Sequence, residues 1–186
     1  IDKIIVSALK EFSWKKTMTW ENYELNWARP LRNILAIFNG KLVNFDFFHL
    51  KSSNSTYIDD VFKKKKVKIT SFKSYISALK ANNIILSQDV RKKIIENFLK
   101  RYCQSKKLKY FFSDLLLEEV TNIVESPNLI VGKFAKEFLE VPKEILIITM
   151  QKHQKYFPLF DKEGILINSF LTISNRSDKY GVIQNG

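Results

Sequence analysis

The sequence has 186 residues and a mass of 21.9 kDa, and 45% of its residues are hydrophobic and 13% aromatic, with only 5 Gly and 4 Pro. This composition excludes a disordered chain, a collagen-like repeat and a flexible linker, because none of these carries enough apolar side chains to build a core. Lys and Arg number 31 against 19 Asp and Glu, and the formal net charge of +12 favours polyanions as partners. A solvated basic surface and a biased amino-acid usage explain the same excess, so the charge alone leaves both interpretations open.

The first predicted elements are an irregular arm over residues 1–30 and a β-hairpin that follows it. Asn39-Gly40 separates two strand-like runs, residues 31–38 and 41–47, and this dipeptide is typical of a two-residue hairpin turn. The Ser-rich segment 51–56 predicts a loop, and a short strand is expected around residues 67–69.

Serines predict the starts of three helices in the rest of the chain. Ser71 precedes a helix over residues 72–81, Ser87 precedes the longest apolar stripe in the sequence, and Ser113 precedes a helix that Pro127 blocks. Further elements are a helix that starts at Pro142, strands at 110–112 and 129–131, and a hairpin of residues 156–160 and 165–174. These elements predict an α+β fold with mixed sheets and packed helices. We expect one domain over residues 1–186, with the arm at 1–30 and a compact part at 31–186.

The residues that carry catalysis in other proteins are sparse here. The sequence has no Gly-rich phosphate loop, no HExxH or GxSxG motif and no His/Cys cluster, so it predicts no catalytic residue and no metal site. We expect His49 to be a structural, hydrogen-bonded residue, and Asp59-Asp60 to be a solvated pair. The single Cys103 suits a reducing compartment and predicts a small buried residue. Because no membrane span or signal peptide is evident, we expect a soluble cytoplasmic protein, and the start at Ile1 suggests a piece of a longer chain.

Aromatic and basic residues alternate near the N-terminus, where Trp14, Trp20, Trp27 and Tyr23 lie among Lys15, Lys16, Arg29 and Arg32. Such a mixture stacks bases and holds phosphates in RNA-binding proteins. Aromatic residues that anchor a core give the same pattern, and we favour that interpretation.

Four blocks of sequence carry a family resemblance over roughly residues 12–180. The first has a Met-x-Trp motif at Met18 and an Arg-Pro pair at Arg29, and the later blocks cover residues 51–56, 116–127 and 137–161. In this order they resemble the beta subunit of bacterial heterotetrameric glycyl-tRNA synthetase, and the last block, which includes Met150 to Asp161, matches most densely. The chain departs from the family at Ile58-Asp59-Asp60-Val61, where relatives have Gly-His-Arg-Phe.

The resemblance implies a division of labour between two subunits. The alpha subunit binds ATP with Mg and activates glycine, whereas the beta subunit supports assembly and tRNA binding, so this chain alone is expected to be inactive and to hold no cofactor. Part of the beta chain resembles the editing-type domain of phenylalanyl-tRNA synthetase beta chains, which implies an α+β fold. An aminoacyl-tRNA ester hydrolase of the editing type and a pure protein-interaction module are the alternatives.

Several residues are candidates for contact with RNA or with a partner subunit. We expect Lys63 to Lys66 to form an exposed basic patch, because four adjacent ammonium groups cannot all be buried. His153 has two interpretations, a contact residue or a structural residue at a helix C-terminus, and we favour the structural one. The full candidate set is Lys63, Lys64, Lys65, Lys66, Arg29, Arg32, His153, Gln154 and Lys155.

Overall fold

A computed structural model describes residues 1–59, 64–178 and 181–185. The chain separates into two compact units, residues 1–82 and 83–186, which we call the N-terminal and C-terminal units. The predicted division into an arm and one compact part is not tested by this separation and stays a prediction.

The described residues of the N-terminal unit form two helices and three small sheets. Strands β1, β5 and β4 form one sheet, with β1 and β5 parallel, whereas β2 pairs with β3 and β6 pairs with β7 in two antiparallel ribbons. The elements are α1 (Asp2–Glu11), β1 (Ile34–Leu35), β2 (Ile37–Phe38), β3 (Lys41–Leu42), β4 (Asp46–Phe47), β5 (Leu50–Ser53), β6 (Ser55–Asp59), β7 (Lys64–Lys68) and α2 (Phe72–Ala81).

The Asn39-Gly40 turn is where the sequence predicts it. Both residues have positive φ, 47° and 74°, as a type I′ turn requires, and Phe38 pairs with Lys41 across it. The flanking strands are only two residues long each, much shorter than the predicted runs.

The Ser-rich segment 51–56 is not a loop, and this prediction was wrong. It forms most of β5 and the start of β6, because its hydroxyl groups satisfy backbone groups that lie close by. The Ser52 hydroxyl donates to the Val43 carbonyl at 2.7 Å and accepts from the Phe45 amide at 2.9 Å. Ser52 is 4% exposed, so these bonds replace the water that a polar loop would have used.

Helix α1 lies in the segment that the sequence assigns to an irregular arm. Its N-cap residue is Ile1, which supplies no side-chain cap, so the usual signal for a helix start is missing. Ile5, Val6 and Leu9 pack against a buried cluster of Leu25, Phe45 and Phe47. Packing against this cluster explains why the helix forms without a cap.

The C-terminal unit contains one four-stranded sheet and its helices. The strand order is β8-β10-β11-β9 and all pairs are antiparallel. The elements are α3 (Gln88–Lys106), β8 (Lys109–Tyr110), α4 (Asp114–Ile123), β9 (Asn128–Lys133), a 3₁₀ turn (Lys136–Glu140), α5 (Lys143–Ile148), a π-helical turn (Thr149–Gln154), β10 (Phe157–Phe160), β11 (Leu166–Ser174) and α6 (Val182–Asn185).

The three serine caps are confirmed. The Ser71, Ser87 and Ser113 hydroxyl groups accept hydrogen bonds from the amides three residues later, at the starts of α2, α3 and α4. The hairpin of β10 and β11 is also confirmed, and it pairs Phe157 with Leu171.

One continuous core fills the C-terminal unit between the sheet and helices α3 and α4. Ile95 and Leu99 of α3, Leu117 of α4, and Leu159 and Leu171 of the sheet are at most 1% exposed. Cys103 is 5% exposed and belongs to this core, as the sequence predicts. The α+β class is confirmed, whereas the likeness to the editing-type domain stays a prediction.

Candidate nucleic-acid interface

Strands β6 and β7 form a two-stranded ribbon with one basic face. Tyr57 lies directly opposite Lys66, and Ser55 lies opposite Lys68. Directly opposite residues of an antiparallel pair point to the same face, so Tyr57, Lys66 and Lys68 share one face. Tyr57 is 49% exposed, whereas its neighbour Ile58, on the other face, is 4% exposed. We call the outer face of Tyr57, Lys66 and Lys68 the basic ribbon.

The charges of the basic ribbon are not neutralised within the described residues. The Lys66 ammonium lies 5.9 Å from the centre of the Tyr57 ring, a cation–π arrangement. No ion pair found in the described part of the chain includes Lys65, Lys66 or Lys68, and all three side chains are exposed. The three ammonium groups therefore have no ion-pair partner among the side chains that the structure describes.

The predicted patch of four lysines falls partly on this face. Lys64 starts β7, Lys65 and Lys66 follow in the same strand, and Lys63 lies outside the described residues. Asp59, the first acid of the departure from the family, pairs with Lys64 through the backbone, and Asp60 also lies outside the described residues.

Arg29 and Arg32 are exposed and follow an aromatic cluster in the N-terminal unit. Trp20 and Trp27 pack against Leu25, Phe45 and Phe47 in the manner of core anchors, as we favoured from the sequence. Trp14 is 40% exposed and lies 5.3 Å from the Trp27 ring, edge to face. The N-terminal aromatic residues are therefore mainly structural.

His49 is held by its ring rather than by hydrogen bonds. It stacks on Tyr23 with ring centres 3.7 Å apart, and Trp20 contacts it edge to face. Its Nδ1 is buried and has no hydrogen-bond partner among the described residues, so the expectation of a hydrogen-bonded histidine was wrong at this atom. A hydrogen bond with the Glu21 carboxylate raises the pKa of Tyr23 above its usual value.

The C-terminal unit presents the second group of candidate residues on the π-helical turn. His153 and Gln154 are exposed at its end, and Lys155 adopts a left-handed conformation with φ 59°. Lys155 Nζ bonds Glu119 Oε2 of α4 at 2.6 Å, so this cation is already paired. Gln151 Nε2 is buried and lacks a hydrogen-bond partner among the described residues.

A stack of two rings holds the strand that follows this turn. Tyr156 and Phe170 lie parallel with ring centres 4.1 Å apart. Gly132 lies beneath the Phe170 ring, and a Cβ atom at this position would come within 2.2 Å of it. Glycine is therefore required at 132 for this ring arrangement.

The structure thus brings Lys64, Lys65 and Lys66 together on β7, and His153, Gln154 and Lys155 together on the π-helical turn, in different units. Sequence reasoning missed Tyr57 and Lys68 in the first group. The period-two alternation of residues 55–58 could have indicated them, because Tyr57 and Ile58 fall on opposite faces of a strand. Nothing local in the sequence indicates Glu119 as the partner of Lys155.

Other chemistry is limited in the described residues. They contain no group of three His, Cys, Asp or Glu side chains that could hold a metal ion. Burial raises the pKa of the Cys103 thiol to about 11, so it stays protonated at neutral pH and is a poor nucleophile. No helix among the described residues is both long and apolar enough to cross a membrane.

A basic surface with an exposed aromatic ring beside it is typical of proteins that bind polyanions. The comparisons with known proteins narrow this class. The sequence model of the family described as "Glycyl-tRNA synthetase beta subunit" matches residues 1–186. The chain belongs to this family.

Named relatives agree with the family match. The chain is 43% identical over 175 residues to the "Glycine--tRNA ligase beta subunit" of Rickettsia akari (strain Hartford), an alignment that covers 94% of this chain and 26% of the relative. Proteins of the same name from Rickettsia felis (strain ATCC VR-1525 / URRWXCal2) and Rickettsia prowazekii (strain Madrid E) are 41% and 40% identical, each over 94% of this chain. The chain spans about a quarter of the length of these relatives, which are components of a ligase.

Proposed function

We propose that this chain is a noncatalytic part of a glycine–tRNA ligase beta subunit, which binds tRNA and supports assembly with an alpha subunit in the cytoplasm. In this proposal the alpha subunit binds ATP and Mg and activates glycine, and the chain alone does not charge tRNA. Membership of the family supports the proposal, and so do relatives named as beta subunits of the ligase.

The observation that carries tRNA binding is the excess positive charge of the N-terminal unit. Residues 1–82 contain 15 Lys and Arg against 7 Asp and Glu, a net charge of +8, whereas residues 83–186 contain 16 against 12, a net charge of +4. Among the described residues, the only ion pair within residues 1–82 joins the N-terminal ammonium to Asp2. Because an RNA backbone attracts unpaired cations and releases its own counterions, this unit supplies the binding free energy.

Exposed apolar side chains of the C-terminal unit support the assembly role. Phe138 of the 3₁₀ turn is 51% exposed, and Ile145 and Ile148 of α5 are 55% and 48% exposed. A subunit contact would remove these side chains from water. The proposal therefore assigns RNA contact to the N-terminal unit and subunit contact to the C-terminal unit.

The salt dependence of tRNA binding tests the proposal. The variant replaces Lys63, Lys64, Lys65 and Lys66 by Ser, and the binding constant of the full chain for glycine tRNA is measured from low to moderate salt. The slope of log K against log salt is expected to fall by roughly 3, because each lost phosphate contact removes about 0.7 to 0.9.

The matched control removes four exposed cations from the C-terminal unit, Lys93, Arg101, Lys106 and Lys109. It loses the same formal charge, and we expect its slope to stay close to that of the unchanged chain. An equal loss of slope in the two variants, or no loss in the first, would contradict the proposal.

A further inference from the structure

We propose that the basic ribbon binds unpaired nucleotides, with one base stacked on the Tyr57 ring and the adjoining phosphates held by Lys66 and Lys68. The inference rests on the proposed function, and it specifies which form of RNA the N-terminal unit recognises. Double-stranded RNA would meet the same lysines but would leave Tyr57 unused, because its bases are stacked inside the helix.

The exposure of Tyr57 is the first observation behind the inference. Successive residues of a strand point to opposite faces, and here Tyr57 is 49% exposed while Ile58 beside it is 4% exposed. The ribbon therefore points its small aliphatic residue into the unit and its ring outward. An outward ring is what a base needs in order to stack.

The register supplies the second observation. Lys66 is directly opposite Tyr57, and Lys68 is two residues further along the same face of β7. Two residues along a strand are about 7 Å, so Lys66 lies directly across from the ring and Lys68 lies about 7 Å to one side of it on the same face. A positively charged groove or face combined with exposed aromatic rings is the recurring arrangement of proteins that bind single strands.

Lysines on an exposed strand also prevent association with the strands of other molecules. This role explains Lys66 and Lys68, but it does not explain an exposed ring beside them, which would itself promote association. The ring and the lysines are explained together by a partner that has both a flat apolar face and negative charge.

The experiment compares Tyr57→Ala and Tyr57→Phe in the full chain. The probes are a single-stranded oligouridylate and an RNA duplex of the same length, and binding is measured over a range of salt concentrations. Tyr57→Ala is expected to weaken binding to the single strand on the order of 10- to 100-fold without changing the salt slope, and Tyr57→Phe to keep most of the affinity. Replacement of Lys66 and Lys68 by Gln is expected to lower the slope of log K against log salt by about 1.4, because each lost phosphate contact to a single strand removes about 0.7.

Phe72→Ala is the matched control, because Phe72 is an aromatic residue of the same unit that is 73% exposed but lies on α2. Its affinity should equal that of the unchanged chain. The inference is overturned if Tyr57→Ala binds the single strand as tightly as the unchanged chain, or if Phe72→Ala loses as much affinity as Tyr57→Ala. It is also overturned if binding of the duplex weakens equally when Tyr57 is replaced. Binding of tRNA without dependence on Tyr57 would leave the proposed function standing, whereas no binding of any RNA by the unchanged chain would overturn both.

Discussion

The two units of the chain stabilise themselves in different ways. The C-terminal unit buries one apolar cluster between a four-stranded sheet and two helices. The N-terminal unit has a smaller buried cluster, Leu25, Phe45 and Phe47, which partly buried aromatic and aliphatic side chains surround. Its sheets are small, and the Ser52 hydroxyl supplies hydrogen bonds that longer strands would have made among themselves.

Charge follows the same division. The ion pairs between side chains found in the described residues all lie in the C-terminal unit, including Lys92 with Glu118 and Lys155 with Glu119. The N-terminal unit has the larger net charge, and none of the ion pairs found among its described residues includes a lysine. In the part of the chain that the structure describes, the regular unit therefore pairs some of its surface charges internally, whereas the irregular unit forms no ion pair between side chains.

The largest expected effect tests the core of the C-terminal unit. Leu159 of β10 is 0% exposed, and Leu159→Ala is expected to lower the free energy of unfolding by about 2 to 5 kcal/mol, because the substitution removes buried methyl groups and leaves a cavity. Denaturant unfolding followed by circular dichroism measures the change. Leu115→Ala is the control, since Leu115 is 76% exposed and its truncation should change stability by no more than about 0.5 kcal/mol. Equal effects of the two substitutions would show that this core is loosely packed.

A smaller effect is expected from Ser52→Ala in the N-terminal unit. The substitution leaves the Phe45 amide without its acceptor, and the loss of a buried hydrogen bond costs about 1 to 3 kcal/mol. Amide hydrogen exchange at Phe45 and its neighbours should become faster, whereas exchange in β10 and β11 should not change. Ser77→Ala, at an exposed position of α2, is the control. If Ser77→Ala accelerated exchange at Phe45 and its neighbours as much as Ser52→Ala, the structural role of Ser52 would be refuted.

The smallest expected effect concerns the pair of Lys155 and Glu119. A double-mutant cycle with Lys155→Met and Glu119→Gln should give a coupling free energy of about 0.2 to 1 kcal/mol, because both side chains are partly exposed and water screens them. The same cycle at Lys162 and Glu163, which are 78% and 56% exposed, should give less. If Lys155 shows no coupling, its charge is as free as those of the basic ribbon and the contrast between the units fails there.

Much of the C-terminal unit could be predicted from the sequence, because its signals are local. Ser87 caps α3 and Ser113 caps α4, and each hydroxyl acts within three residues of its own position. The hairpin of β10 and β11 is likewise predicted from signals that lie close together in the sequence. The π-helical turn could not be predicted in this way, since its residues continue the pattern of α5. What distinguishes it is backbone bonding over five residues instead of four, as from the Lys155 amide to the Met150 carbonyl.

The N-terminal unit was predicted less well, because its contacts are distant in sequence. Strand β5 depends on its parallel pairing with β1 through Ile34, and α1 depends on a cluster that includes Phe45 and Phe47. The lysine run predicted part of the candidate site by composition alone. The juxtaposition of Tyr57 with Lys66 depends on the register of two strands, and the sequence does not state that register.

The aromatic cluster of the N-terminal unit makes the two halves spectroscopically distinguishable. The chain has three tryptophans, Trp14, Trp20 and Trp27, and all of them lie within residues 1–82. Indole emission, excited at wavelengths that tyrosine does not absorb, therefore reports on this half alone. Both halves contribute to the ellipticity signal. If the unfolding midpoints followed by indole emission and by ellipticity coincide, the two halves unfold in one cooperative transition, and if they differ, the halves unfold in two.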